Sequence, residues 1–136
     1  MPFLFFILLG IDLFSKRIAL KFSQELGLTI IFNKGMAFGL LGNFSWLVLL
    51  LNILVLGGLY LIRKKFFYTD KILKTALSFI MAGGLGNFLD RVYLEYVIDF
   101  IKIPYFPYFN LADIFINIGI ILVIIRVITF NEHTKI

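Results

Sequence analysis

Residues 44–62, FSWLVLLLNILVLGGLYLI, run from Phe44 to Ile62 without a charged side chain. A helix of ~20 apolar residues crosses the hydrocarbon core of a bilayer, so this run reads as a membrane span. It sets the scale for the rest of the chain. Three further runs match it in length, at 2–20, 72–89 and 111–130, and each of these carries polar or ionisable residues. The sequence therefore predicts a mainly α, integral membrane protein with four transmembrane helices in a single membrane domain, residues 1–136.

Composition agrees. The chain is 61% hydrophobic and only 15% charged, with a mean hydropathy of +1.00. A soluble domain carries about 45–50% apolar and about 25% charged residues, so lipid must be the solvent for much of this surface. Cysteine is absent, which excludes disulfides, thiol catalysis and thiolate metal sites. The single histidine, His133, lies in the polar tail, so neither a Ser–His triad nor a histidine-bound metal is expected. The net charge of +5 comes from basic residues spread between apolar runs, a pattern of membrane topology and not of nucleic-acid binding. The first run lacks the basic start and small-residue cleavage site of a secretory signal, so it is expected to persist as helix one.

The connections have distinct characters. Residues 21–43 contain a β-prone piece at 29–32 followed by the turn-rich Asn33, Lys34 and Gly35, which predicts a small extramembrane sheet. Residues 91–110 hold Pro104 and Pro107 among aromatics suited to the headgroup interface. The Arg63, Lys64 and Lys65 cluster leans towards the cytoplasm by the positive-inside rule, which puts both termini there.

Ionisable residues in membrane spans cost ~2.5–3.5 kcal/mol each on insertion scales, so they ask for an explanation. In this topology Asp12, Lys16, Asp90, Arg91, Asp99 and Asp113 all fall towards the side away from Arg63–Lys65. Asp12 and Lys16, four apart, can pair on one helix face. Asp90 and Arg91 read as a charged boundary at the end of helix three. The glycines before them, Gly83, Gly84 and Gly86, suit close helix packing, and without a following Gly-Lys-Ser/Thr they are not a phosphate loop. Asp113, in the first turn of helix four, is explained by helix capping when taken alone. Together with Asp99, a charge inside the apolar Val97–Ile101, it has a second explanation. Two carboxylates held ~3 Å apart cannot both ionise and share a proton, so one can take a proton from water while the other donates to a carbonyl oxygen. An aspartyl dyad is the hydrolytic machinery this composition allows.

At these residues the chain resembles the lipoprotein signal peptidase (signal peptidase II) family of bacteria. Asp12-Leu13-Phe14-Ser15-Lys16 is similar to the family's D-x-x-S-K, and Asn33-Lys34-Gly35-Met36-Ala37-Phe38 to its N-x-G-x-A-F. The stretch from Gly83 to Arg91 is similar to G-G-x-x-G-N-x-x-D-R. Val97-Ile98-Asp99-Phe100 resembles V-x-D-F, and Phe109-Asn110-Leu111-Ala112-Asp113 resembles F-N-x-A-D. The five occur in the family's order.

The resemblance implies a membrane aspartyl endopeptidase with Asp99 and Asp113 as its catalytic pair and no cofactor or metal. Its partners would be diacylglyceryl-modified prolipoproteins and membrane lipid, cleaved just before the lipidated cysteine near the outer face of the bacterial cytoplasmic membrane. It also implies an extracytoplasmic β-cradle at 21–43 and a loop over the active site at 91–110. Asn33, Gly35, Ala37, Asn87, Arg91, Asn110 and Ala112 match positions that bind substrate or steady the dyad, and Asp12, Lys16 and Asp90 match supporting ones. Ile114 departs from the serine common after the second aspartate. A monomer is expected. The rival class is a small proton-coupled transporter, for which Asp12 is the candidate proton carrier.

Overall fold

The computed structural model describes residues 2–35, 45–67 and 70–133. Four helices follow in chain order: α1 (Pro2–Phe22), α2 (Ser45–Phe67), α3 (Lys71–Leu94) and α4 (Leu111–His133). Two short strands, β1 (Ile31–Asn33) and β2 (Val97–Asp99), pair antiparallel with Ile31 opposite Asp99 and Asn33 opposite Val97. The sheet is thus not built within 21–43, because its second strand comes from the connection between α3 and α4. Residues 36–43 of the expected cradle, Ala37 among them, and Phe44 at the start of the second expected span lie outside the described residues.

Helix α3 is the hub, packing against α4, α1 and α2. Its glycine cluster explains how. A Cβ on Gly83 would meet Ala112 O and Ile116 of α4, one on Gly84 would meet Leu56 of α2, and one on Gly86 would meet Asp12 of α1. Successive residues point ~100° apart around a helix, so three nearby glycines open three faces to close approach. Around this hub a small apolar cluster forms from Leu8, Ala82 and Phe115, with Phe79 edge-on to Phe115 at 5.9 Å.

Helix α3 extends past residue 89, where the sequence reading ended it, to Leu94. Asp90 and Arg91 do not mark a boundary with water, since both find partners inside the protein. The helix stops at Glu95, whose left-handed backbone (φ 69°) lets its N–H return to Arg91 O at 3.1 Å. At the other end Asp70 caps α3, accepting from the N–H groups of Ile72 and Leu73 at 2.8 and 3.1 Å, and also pairs with Arg126 of α4.

Burial runs inside out. Large apolar side chains such as Phe3, Phe6 and Ile121 are exposed, while Asp12, Lys16, Asp99 and Asn110 are buried. Helix α3 and residues Leu111–Thr129 of α4 are long and apolar enough to cross a membrane. Asp12, Lys16 and Arg17 interrupt α1, and the apolar stretch described in α2, Leu47–Leu61, is shorter.

Candidate active site

The site forms where the start of α4, the last turns of α3 and the two-stranded sheet converge. Asn110 and Asp113 make a reciprocal cap at the head of α4. Asn110 Oδ1 accepts from the Asp113 N–H at 3.1 Å, and Asp113 Oδ2 accepts from the Asn110 N–H at 3.1 Å. This is the capping-box arrangement, which satisfies two otherwise orphaned donors. Capping is therefore real here, and it leaves Asp113 Oδ1 to receive the side-chain amide of Asn87 at 2.9 Å.

Asp99 ends β2 and is buried, 2% exposed. Its Oδ2 accepts from Asn33 Nδ2 at 2.9 Å and its Oδ1 from Asn110 Nδ2 at 2.7 Å. Strand pairing brings Asn33 there, and an Asx turn from Asn33 Oδ1 to the Gly35 N–H (2.9 Å) fixes its side chain. Asn110 bridges the two carboxylates and gives its other amide hydrogen to Asn87 Oδ1 at 3.1 Å. Both of its amide hydrogens are committed, so it has none left for a substrate.

Beneath this layer lies a second. Lys16 Nζ is buried and donates to Asp12 (2.8 Å), Asp90 (2.9 Å) and Asn87 Oδ1 (3.0 Å), using all three of its hydrogens. Asp12 Oδ1 in turn accepts the backbone N–H of Ala112 at 2.9 Å, so α1 helps cap α4 just before Asp113. Asp90 Oδ2 takes the Ile98 N–H at 3.4 Å. Arg91 reaches back to Asn87 O at 3.2 Å and across to Gly35 O at 2.7 Å, linking α3 to the segment after β1. The structure thus gathers Asp12, Lys16, Asn33, Gly35, Asn87, Asp90, Arg91, Asp99, Asn110, Ala112 and Asp113 into one hydrogen-bonded assembly. Ala37 falls outside the described residues.

Electrostatics separate the two layers. Asp12, Asp90, Asp99 and Asp113 face two cations, Lys16 and Arg91, so carboxylates outnumber their countercharges. Burial pushes the Asp99 carboxyl up to about 6, with the Asp113 charge adding to the rise, while bonds from Asn33 and Asn110 hold it back. Burial thus favours the neutral form of Asp99 relative to a free aspartate.

Asp99 and Asp113 open into one cavity of about 1030 Å³, walled mainly by apolar groups including Ile31, Phe32, Phe106 and Ile114. Asp12 does not line it, being committed to Lys16 and Ala112. A hairpin closes one side, with Ile101 bridged to Phe109 and Lys102 Nζ stapled to Phe106 O at 2.7 Å. One polar wall residue was not singled out from the sequence. Asn117, one turn beyond Asp113, lines the cavity, and its signal was a lone amide inside the apolar run 111–130.

Comparison with known proteins agrees with this architecture. Two solved structures, each described as a bacterial membrane enzyme obtained by the in meso method, share the fold. The first is 28% identical with a TM-score of 0.86, covering 98% of this chain and 90% of that one. The second is 29% identical with a TM-score of 0.75, covering 93% and 90% respectively. The peptidase A8 family model, described as signal peptidase (SPase) II, matches residues 4–129, and over that span the chain belongs to the signal peptidase II family of aspartic-type peptidases.

Proposed function

We propose that this protein removes the signal peptides of diacylglyceryl-modified prolipoproteins, cutting before the lipidated cysteine with Asp99 and Asp113 as a catalytic dyad. All four helices span the membrane in this reading, with both termini cytoplasmic and the dyad near the outer face. The observation that carries it is the pairing itself. Two carboxylates from separate elements, bridged by Asn110, open together into a largely apolar cavity beside helices of membrane-spanning length.

Asp113, ionised, takes a proton from water as the water oxygen bonds to the scissile carbonyl carbon. Asp99 gives its proton to the carbonyl oxygen, so the tetrahedral intermediate is a neutral diol and the dyad's single negative charge passes from Asp113 to Asp99. The diol then collapses. The C–N bond breaks, Asp113 protonates the departing cysteine nitrogen, and a diol hydroxyl returns its proton to Asp99. Asn33, Asn87 and Asn110 hold the carboxylates in place without supplying protons. No cofactor takes part, and the chain acts as a monomer. The substrate's acyl chains stay in lipid, which turns capture into a search in two dimensions and fixes orientation.

The test uses purified protein in liposomes with a diacylglyceryl-modified prolipoprotein, following release of the signal peptide by gel shift. Asp99→Asn and Asp113→Asn should each lower kcat by at least about 10³-fold with folding intact. Undiminished cleavage by both variants would sink the dyad.

A further inference from the structure

We infer that Asn117 is a substrate-binding residue, one that accepts a backbone N–H from the signal-peptide side of the scissile bond. The inference rests on the function proposed above. Asn117 lies four residues past Asp113, about 6 Å further along α4. It lines the same cavity as Asp113 and Ile114 and is exposed within Leu111–Thr129. Its Nδ2 donates to Asp113 O at 2.9 Å. A carbonyl can only accept, so this bond fixes the orientation of the amide and turns Oδ1 outward. Among the described residues Oδ1 has no donor.

An unpaired amide oxygen at membrane depth is costly, and a ligand that supplies a donor removes that cost. The chemistry of the acceptor selects the ligand. A diacylglyceryl thioether presents ester oxygens and sulfur, with no hydrogen to give. An extended peptide in a protease site presents backbone N–H groups stripped of their helical partners, and these need acceptors in a cavity walled mainly by apolar groups. Since Asn117 lies beyond the dyad along a membrane-spanning helix, the chain passing it is the apolar signal segment and not the exported product. Asn52 of α2 provides the contrast. It makes the same back-bond, to Val48 O at 2.9 Å, yet does not line the cavity.

The experiment uses reconstituted protein and diacylglyceryl-modified lipopeptides, each N-methylated at one amide on the signal-peptide side. Asn117→Leu should raise KM about three- to tenfold, the scale of one hydrogen bond, and leave kcat within about twofold. One N-methylated peptide should lose the same factor with the unmodified protein and nothing further with Asn117→Leu. Asn52→Leu should leave both constants unchanged. Asn117→Thr, whose hydroxyl can repeat the back-bond but reaches less far, should reproduce the KM effect should the leucine variant fold poorly. An unchanged KM, additive losses on N-methylation, or a change of oligomeric size in place of a KM change would each overturn the inference. Absence of cleavage by the unmodified protein would instead overturn the functional reading beneath it.

Discussion

Charged groups tie α3 to its neighbours at both ends, and the two ties are built differently. At the Asp70 end a single carboxylate caps α3 and meets Arg126, with side chains 18% and 26% exposed. At the Asp90 end Lys16 is buried among Asp12, Asp90 and Asn87, with side-chain exposures from 0% to 7% for the ion pairs. Water screens the first tie, so little is gained or lost there. The second is desolvated, and it survives because each Lys16 hydrogen and the Asp12 oxygen facing α4 are satisfied within the fold. The difference teaches that burial converts a weak electrostatic contact into a structural requirement.

The largest test of that contrast is Lys16→Met. It leaves Asp12 and Asp90 facing each other without their cation, and removing one partner of a buried pair costs about 3–5 kcal/mol. A fall in Tm of more than about 10 °C and loss of activity are expected, measured by thermal unfolding in detergent. Next is Gly86→Ala, whose Cβ would fall on Asp12. Overpacking there should cost about 1–3 kcal/mol, whereas Gly58→Ala, with nothing within 4 Å of its Cβ, should be neutral or slightly stabilising.

Acid should separate the two ends by sign. Asp99 has its carboxyl raised from 3.8 to about 6, so between those pH values the folded protein holds a proton the unfolded chain has released. Its contribution to stability therefore declines as pH rises through that window. Asp70 is the reverse. Its bond from Arg126, helped by the helix N–H groups, holds its carboxyl below the usual range, so its contribution is present above that range and is lost as pH falls. Infrared titration of Asp113→Asn should find the Asp99 carboxyl lowered, because the neighbouring negative charge is gone. An unmoved titration would show that the two carboxylates are not coupled. The smallest effect belongs to Asp70→Asn, a drop of a few degrees in Tm at neutral pH that shrinks in acid.

Much of this was legible in the sequence, for reasons that vary by residue. Helix α2 declared itself by composition, and Asp99 and Asp113 by the cost of placing charge in apolar segments. What escaped was set by contacts distant in the chain. The end of α3 was read too early because Asp90 and Arg91 look like a boundary until Lys16 and Gly35 are brought against them. The pairing of β1 with β2 joins Ile31 to Asp99, and a three-residue strand carries no local sign of its partner. Asn110 could be seen as polar, but not that its side chain would be fully committed to Asp99, Asn87 and the head of α4. Asn117 was overlooked because a single amide in a long apolar run says nothing about which face it takes.

During synthesis, in the four-span arrangement proposed above, α1 reaches the lipid long before the rest of its anchorage exists. Asn87 is 71 residues further along than Lys16, and Ala112 is 100 residues beyond Asp12. Until they emerge, Asp12 and Lys16 have only each other, a poor bargain for a helix entering hydrocarbon. In that arrangement the polar partners that hold Asp12 and Lys16 in the finished fold reach α1 only when α3 and α4 arrive. The Lys16 contacts that seat α1 are thus the same ones that join it to Asn87 and Asp90 beneath the proposed dyad, so in this arrangement insertion of α1 and assembly of the site are one event.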